Sequence, residues 1–465
     1  MMSEGNEKSL HIAMCPWFAF GHITSFLHLA NKLAERNHKI SFLVPSKSEP
    51  QLSSHNHHPH LITFIPITLP DVVGLPKGAQ TTADVPAIAR PLIMTAMDLS
   101  QDTIDAHLGR LKPDFIFFDF TEWVPRLARK HHVKSVFYAT VYVVTIAYLT
   151  PHARNLPINC LSEEEMVNPP PDFPVPSVKL KPQEARSLSN ASEAKFGGGM
   201  SLFERLAVAF QECDAICVKS CKEMEGPYCD YFQKHYSKPL LLAGPVIPEL
   251  PTTKLDKSID SWLNGFHKDS AIYCALGSEC FLRKDQFQEL VLGLELTGIP
   301  FLAALKLPTD CETLESALPE GFADRTKGYG MVLVGWVQQQ LILQHTSVGC
   351  FLTHCGAGSL SEAMVSDCQL VMLPQAVDQS INARMMSQDL RLGVEVEKGD
   401  DDGFFTREAV CKAVKTVMNP ENKVARTARA NHAKWRDFLL TEGLEESYIS
   451  GFVHSLQKLP ESDMK

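Results

Sequence analysis

The stretch "WVQQQLILQHTSVGCFLTHCGAGSL", residues 336 to 360, decides the fold. In it an apolar run, "GCFLT", meets His354, Cys355 and two glycines and then passes into "SLSEAMVS". A short greasy run bounded by glycine reads as a buried strand, and the segment after it reads as a helix. A strand that leaves through a glycine turn into a helix is half of an α/β unit. The turn sets His354 at a helix N-terminus, where free N–H groups and the helix dipole favour an anion and Gly356 lets a phosphate approach the main chain. A histidine beside it donates a further hydrogen bond to a phosphoryl oxygen. Two other readings stay open here: Ser359 and Glu362 as a Ser-x-x-Glu capping box, and His354 as a satisfied core histidine. The stretch has neither the Gly-Lys-Ser/Thr of a triphosphate loop nor a GxGxxG, which argues against triphosphate hydrolysis and nicotinamide binding.

Outward from this turn, the same alternation fills the chain. "HIAMCPW" (11 to 17) is a strand, "ITSFLHLANKLAER" (23 to 36) a helix with Ile23, Leu27, Ala30 and Ala34 on one face, and "KISFLVP" (39 to 45) the next strand. Further strands fall at "DFIFFDF", "SVFYAT" and "AICVKS". The run "NPPPDFPVPSVKLKPQEA" (168 to 185) is too rich in proline for regular structure and reads as a rim loop. After a proline-bearing linker a second alternation starts, with "AIYCALGS", "FLAAL", "MVLVGW", "GCFLTHCG" and "QLVMLP". The predicted organisation is a first domain over 1–243, a linker over 244–258, a second domain over 259–440 and a terminal helix in 441–465 that packs back on the first. In open sheets of this kind ligands sit beyond the carboxyl ends of the strands.

Composition narrows the ligand. With 44 Lys and Arg against 54 Asp and Glu, the 465-residue chain carries a formal charge of -10. That argues against a nucleic-acid or anionic-membrane surface, both of which need clustered cations. The N-terminus lacks the basic start and apolar core of a secretory signal, and the longest greasy run, 135 to 149, is short for a spanning helix. The 13 cysteines are odd in number and scattered singly through apolar segments, so they read as reduced thiols in a cytoplasmic protein with no zinc site. "HNHHPH" (55 to 60) lies in a polar, proline-bearing loop and reads as solvated.

Three strand exits in the second half carry chemistry: Trp336 with Gln339, the His354 turn, and Asp378 with Gln379. Trp336 as a core residue and Asp378 as a helix cap remain open for each taken singly. Together they resemble the signature box of plant secondary-metabolite glycosyltransferases, which runs from a tryptophan to an Asp-Gln pair across 44 residues, the inclusive span from Trp336 to Gln379. The resemblance implies a GT-B fold: two Rossmann-like, doubly wound α/β domains facing a central cleft, with a UDP-sugar held on the second. It implies that Trp336 stacks on uracil and Gln339 meets its edge through the backbone. Ser278, His354, Gly356 and Ser359 would contact the diphosphate, Glu362 the ribose hydroxyls, and Asp378 and Gln379 the donor sugar. A carboxylate accepts two hydroxyls well and an amide both donates and accepts, so these roles suit the residue types. The chain departs from the box at Ala357 and Gly358, where most members have Trp-Asn, and at Gln338, where proline is usual.

An inverting transfer needs a base for the acceptor hydroxyl, and imidazole suits that work near neutral pH. His22 follows Gly21 at the exit of the first strand, and Asp119 is the acidic residue at the exit of the greasy run "DFIFFDF"; a carboxylate there would hold the imidazole tautomer. Family members carry such a dyad. Phe18, Phe20, Glu122, Trp123, Tyr138 and Tyr142, from first-domain loops, are expected to bind a flat, uncharged acceptor. "WFAFGHITSFLHLANKLAERNHKISFLVP" and "FDFTEWVP" resemble the branch that adds a sugar to a sugar already on a flavonoid or anthocyanin glycoside. The expected partners are a UDP-sugar, glucose or xylose, and a glycoside, with no cofactor, no metal and a monomeric state. An aglycone-directed transferase and an inactive UDP-sugar-binding protein are the alternatives.

Overall fold

The computed structural model describes residues 9–149, 151–154, 161–193, 195–196, 199–245, 247, 249, 251 and 253–459. The ends of the predicted terminal segments, 1–8 and 460–465, lie outside the described residues. The chain divides into two compact units: residues 1–161, 190–246 and 445–465 form one, and 162–189 with 247–444 form the other.

The first unit is built on seven parallel strands: β1 (His11–Cys15), β2 (Lys39–Pro45), β3 (Ile62–Ile67), β4 (Phe115–Phe118), β5 (Lys134–Ala139), and, after a two-residue hairpin β6 (Lys195–Phe196) and β7 (Met200–Ser201), β8 (Ala215–Val218) and β9 (Leu240–Leu242). Their order is β3-β2-β1-β4-β5-β8-β9. Helices cover both faces, so the strands read as continuous apolar runs such as the fully buried "FIFF" of β4. The helix Phe20–Ala34 buries Ile23, Phe26, Leu27, Ala30 and Ala34 on this sheet. The helix Leu444–Gln457 adds Ile449, Phe452, Val453 and Leu456 to the same core, and Lys32 pairs with Glu445 at 3.3 Å.

The second unit holds six parallel strands: β10 (Ala271–Ala275), β11 (Phe301–Leu305), β12 (Gly330–Val334), β13 (Val348–Thr353), β14 (Gln369–Met372) and β15 (Gly393–Glu395), in the order β12-β11-β10-β13-β14-β15. Both sheets therefore reverse direction once, between β1 and β4 and between β10 and β13. Those switch points are where doubly wound sheets open a ligand crevice.

Residues 162–189 belong with the second unit, not with the first domain as the sequence reading placed them. The reason is a polar anchor: buried Glu184, on the helix Pro182–Glu193, accepts from Ser380 at 2.9 Å and from Arg384 at 3.0 Å. Lys181 donates to the Lys398 carbonyl at 2.8 Å. The predicted linker is structured at its end, where Asp256 caps the helix Lys257–Leu263 and gives its N–H to Gln338 Oε1 at 2.7 Å. Gln338 Nε2 in turn donates to the Lys254 carbonyl at 2.8 Å.

Candidate active site

At the first switch point the first turn of the helix Phe20–Ala34, which follows β1, and the exit of β4 bring His22 and Asp119 together. His22 Nδ1 stands 2.7 Å from Asp119 Oδ2. The other carboxylate oxygen accepts the main-chain N–H groups of Trp17 at 2.7 Å and Phe120 at 2.8 Å. Asp119 is buried while His22 keeps part of its surface. Because a carboxylate only accepts, the imidazole proton sits on Nδ1 and the lone pair on Nε2. Thr140 Oγ1, at the exit of β5, lies 3.1 Å from the same Nδ1, and the Phe120 ring packs 5.1 Å from the imidazole. Neither was singled out from sequence. Thr140 closes the run "SVFYAT" and Phe120 adjoins Asp119, so strand-exit position was the available signal.

The expected acceptor wall is largely corrected. Phe18 and Tyr138 have no exposed surface, and Tyr138 stands edge-on to Phe26 in the core. Trp123 and Tyr142 are also buried. The Trp123 indole donates to Asp98 at 3.0 Å, and Glu122 pairs at 2.6 Å with Arg205, which bridges to Asp98. Burial raises the Glu122 pKa, against the lowering effect of Arg205. Only Phe20 and Glu122 of the six retain partial exposure. The physical reason is that both faces of a parallel sheet are covered, so aromatic residues at its edge turn inward as readily as outward.

At the second switch point, the turn after β10 holds Gly277 (φ +78°) and the turn after β13 holds His354 and Cys355 (φ +65°). A Cβ at Gly277 would fall 2.5 Å from His354 Nε2, and one at Gly356 would fall equally close. The imidazole thus lies in a slot that two glycines make. Thr353 Oγ1 accepts the Cys355 N–H at 3.2 Å, and Asn382 donates to the Cys355 carbonyl at 3.0 Å, which together hold the left-handed turn. Burial lowers the His354 pKa to about 4, with the Ala275 carbonyl opposing it, so the ring is neutral at pH 7. Its buried Nδ1 makes no hydrogen bond of standard geometry.

The helix Ala357–Met364 starts at this turn with Gly356 as N-cap and no side-chain cap. The capping-box reading of Ser359 and Glu362 therefore fails. Both lie within the helix, where Gln339 Nε2 bridges Ser359 Oγ at 3.1 Å and Glu362 Oε2 at 2.8 Å. The Tyr273 hydroxyl donates to Gln339 Oε1 at 3.3 Å. Gln339 gives its own N–H to the Val337 carbonyl at 2.8 Å. Trp336, after β12 and Gly335 (φ +108°), is 80% exposed, which removes the core reading.

After β14, the helix Val377–Arg384 carries Asp378 and Gln379 in its first turn. Ala376, not Asp378, is the N-cap, and Gln379 Oε1 accepts the N–H groups of Gln375 at 2.9 Å and Ala376 at 3.0 Å. Ser278 is exposed beside Gly277. Among the described residues no three His, Cys, Asp or Glu side chains are grouped to hold a metal ion, those of 55–60 included. Nor is any described helix long and apolar enough to cross a membrane.

Comparison with known proteins agrees with this geometry. The family model for UDP-glucoronosyl and UDP-glucosyl transferase matches residues 228–432. A cyanidin 3-O-galactoside 2''-O-xylosyltransferase of Actinidia chinensis var. chinensis is 53% identical, over 97% of this chain and 99% of its own. An anthocyanidin 3-O-glucoside 2''-O-glucosyltransferase of Ipomoea nil is 50% identical, over 97% and 98%. A Glycyrrhiza uralensis protein crystallised with glycyrrhetinic acid 3-O-monoglucuronide shares the fold at a TM-score of 0.80, with 19% identity over 97% of this chain and 96% of its own. With relatives this similar along nearly all of its length, the chain belongs to the plant UDP-dependent glycosyltransferases and is a GT-B enzyme that transfers sugar from a UDP-sugar.

Proposed function

We propose that the enzyme adds glucose or xylose to a hydroxyl of a sugar already attached to a flavonoid-type glycoside, with inversion at the anomeric carbon. The observation that carries the mechanism is the contact of 2.7 Å between His22 and buried Asp119 at the first switch point. His22 Nε2 takes the proton of the acceptor hydroxyl as its oxygen bonds to the anomeric carbon and the bond to UDP breaks. Asp119 stabilises the imidazolium that forms. The leaving diphosphate meets the uncapped N-terminus of the helix Ala357–Met364, together with His354, Gly356, Ser278 and Ser359. His354 is neutral there and supplies a hydrogen bond, not a charge. Trp336 is the uracil platform, Glu362 takes the ribose hydroxyls, and Asp378 and Gln379 take the donor sugar.

The acceptor class rests on the xylosyl- and glucosyltransferases named above, which act on anthocyanin glycosides. Phe20 and Phe120, beside the dyad, are the acceptor-facing aromatics in this reading. The buried cysteines, with thiols that burial holds protonated, favour a reducing cytoplasmic setting, and the enzyme acts there as a monomer. The test is product mass spectrometry with a panel of UDP-sugars and matched pairs of flavonoid aglycones and their monoglycosides, run beside His22→Ala. The expected result is transfer to monoglycosides only, abolished by the substitution; products from the aglycones would refute the acceptor assignment.

A further inference from the structure

The turn that carries Asp378 and Gln379 is held from behind by a segment far away in the chain. Glu184 is almost fully buried and binds two positions of the helix that follows the turn: the hydroxyl of Ser380 at 2.9 Å and the guanidinium of Arg384 at 3.0 Å and 3.3 Å. The preceding end of the turn is fixed as well, because Lys398 Nζ donates to the Pro374 carbonyl. Between these two anchors, Gln379 Oε1 gathers the Gln375 and Ala376 N–H groups. Ser380 adjoins Gln379, so a displacement of Ser380 moves the Asp378–Gln379 pair directly. A buried carboxylate that reads a hydroxyl and a guanidinium together fixes the helix in rotation as well as in distance.

We propose that Glu184 is a positioning residue for the donor sugar: it sets the Asp378–Gln379 turn and so tunes the sugar contacts without touching the nucleotide. This rests on the reading that Asp378 and Gln379 hold the sugar. Trp336 and Glu362 stand on other elements, so the base and ribose contacts do not depend on the Glu184 anchor. The His354 turn, which this helix also reaches through Asn382 and the Cys355 carbonyl at 3.0 Å, keeps its own hydrogen bond from the Cys355 N–H to Thr353. The affinity for UDP and the affinity for UDP-sugar then separate, which a general loss of structure would not produce.

The experiment is calorimetric titration of the full chain with UDP, UDP-glucose and UDP-xylose, for the native protein and the variants Glu184→Gln, Ser380→Ala and Asp378→Asn. The expected outcome for Glu184→Gln and Ser380→Ala is a Kd for UDP within about twofold of native and a Kd for at least one UDP-sugar raised about fivefold or more. The ratio of UDP-glucose to UDP-xylose affinity shifts with it. Native UDP-sugar affinities in both variants, while Asp378→Asn weakens them, would overturn the role of Glu184 alone. Native affinities in Asp378→Asn would instead overturn the sugar-pair reading on which it rests. If Glu184→Gln does not fold, Ser380→Ala decides, since it removes only the hydroxyl's contacts to Glu184 and the Ala376 carbonyl and keeps the ion pair.

Discussion

Asp119→Asn is the sharpest test of the dyad, because the structure determines which way the amide must face. One carboxylate oxygen holds the Trp17 and Phe120 N–H groups and the other faces His22 Nδ1. An asparagine that keeps its oxygen on the two main-chain donors turns its NH₂ to the imidazole. The flipped amide would set NH₂ against two donors and leave both unsatisfied, at about 1–3 kcal/mol each. The first orientation wins, Nδ1 becomes an acceptor and the proton moves to Nε2, where the lone pair is needed. The fold keeps its two main-chain contacts, so stability should change by less than about 1 kcal/mol. The base and the imidazolium stabilisation are lost, and kcat should fall roughly 10³–10⁴-fold, or about 4–5.5 kcal/mol. UDP release in steady state measures kcat, and calorimetry with UDP checks that Kd is unchanged. A kcat within about fivefold of native would refute the assignment of His22 as base.

Three further outcomes follow from the second unit. Trp336→Ala should leave stability within about 0.5 kcal/mol, since the indole is 80% exposed, yet weaken UDP binding about 5- to 150-fold through loss of about 1–3 kcal/mol of base stacking; an unchanged Kd by calorimetry would remove the platform. Gly277→Ala places a Cβ 2.5 Å from His354 Nε2 at a φ of +78°, costs about 1–2 kcal/mol in backbone strain alone, and should raise the UDP Kd at least about tenfold, with the urea midpoint reporting the strain. His354 titrates at about 4 in the folded chain against 6.5 for an unperturbed histidine, so the folded state binds fewer protons; its contribution is complete above pH 6.5 and is lost as pH falls toward 4. That amounts to about 2 kcal/mol at pH 5 and roughly 3 kcal/mol at pH 4, visible as a falling urea midpoint that His354→Gln flattens, and buried His432 adds to the loss in the same direction.

The alternation of apolar runs with helical segments was legible because parallel strands are short, greasy and punctuated by glycine or proline at their exits. Exit position alone also marked His22, Asp119, His354 and Asp378 before any strand order was known. Order supplied what sequence could not: the first two residues converge because β1 and β4 are neighbours, and Gly277 meets His354 because β10 and β13 are. The acceptor wall was misread for a related reason. Trp123, Glu122 and Arg205 form one network with Asp98, and contacts spanning 25, 83 and 107 residues leave no periodicity to detect. The proline-rich run hid a helix whose anchoring partners lie 196 and 200 residues on, so nothing local assigned it to the second unit.

The departures from the family box acquire distinct physical meanings in the fold. Gln338, where proline is usual, is not a passive replacement. Its amide accepts one N–H and donates to two oxygens of residues 253–256, tying the approach to the second sheet to the loop that presents Trp336. Proline would preset the backbone but offer none of these bonds. Gly358 is different in kind. It sits in the first turn of the helix Ala357–Met364, and a Cβ there would meet nothing within 4 Å, so packing does not demand glycine. Glycine within a helix costs about 1 kcal/mol relative to alanine. With open space around it and uncapped N–H groups beside it, the position leaves the helix terminus clear. In the proposed donor site, position 338 therefore bears on how the Trp336 platform is held, and positions 357–358 on the end that would face the diphosphate.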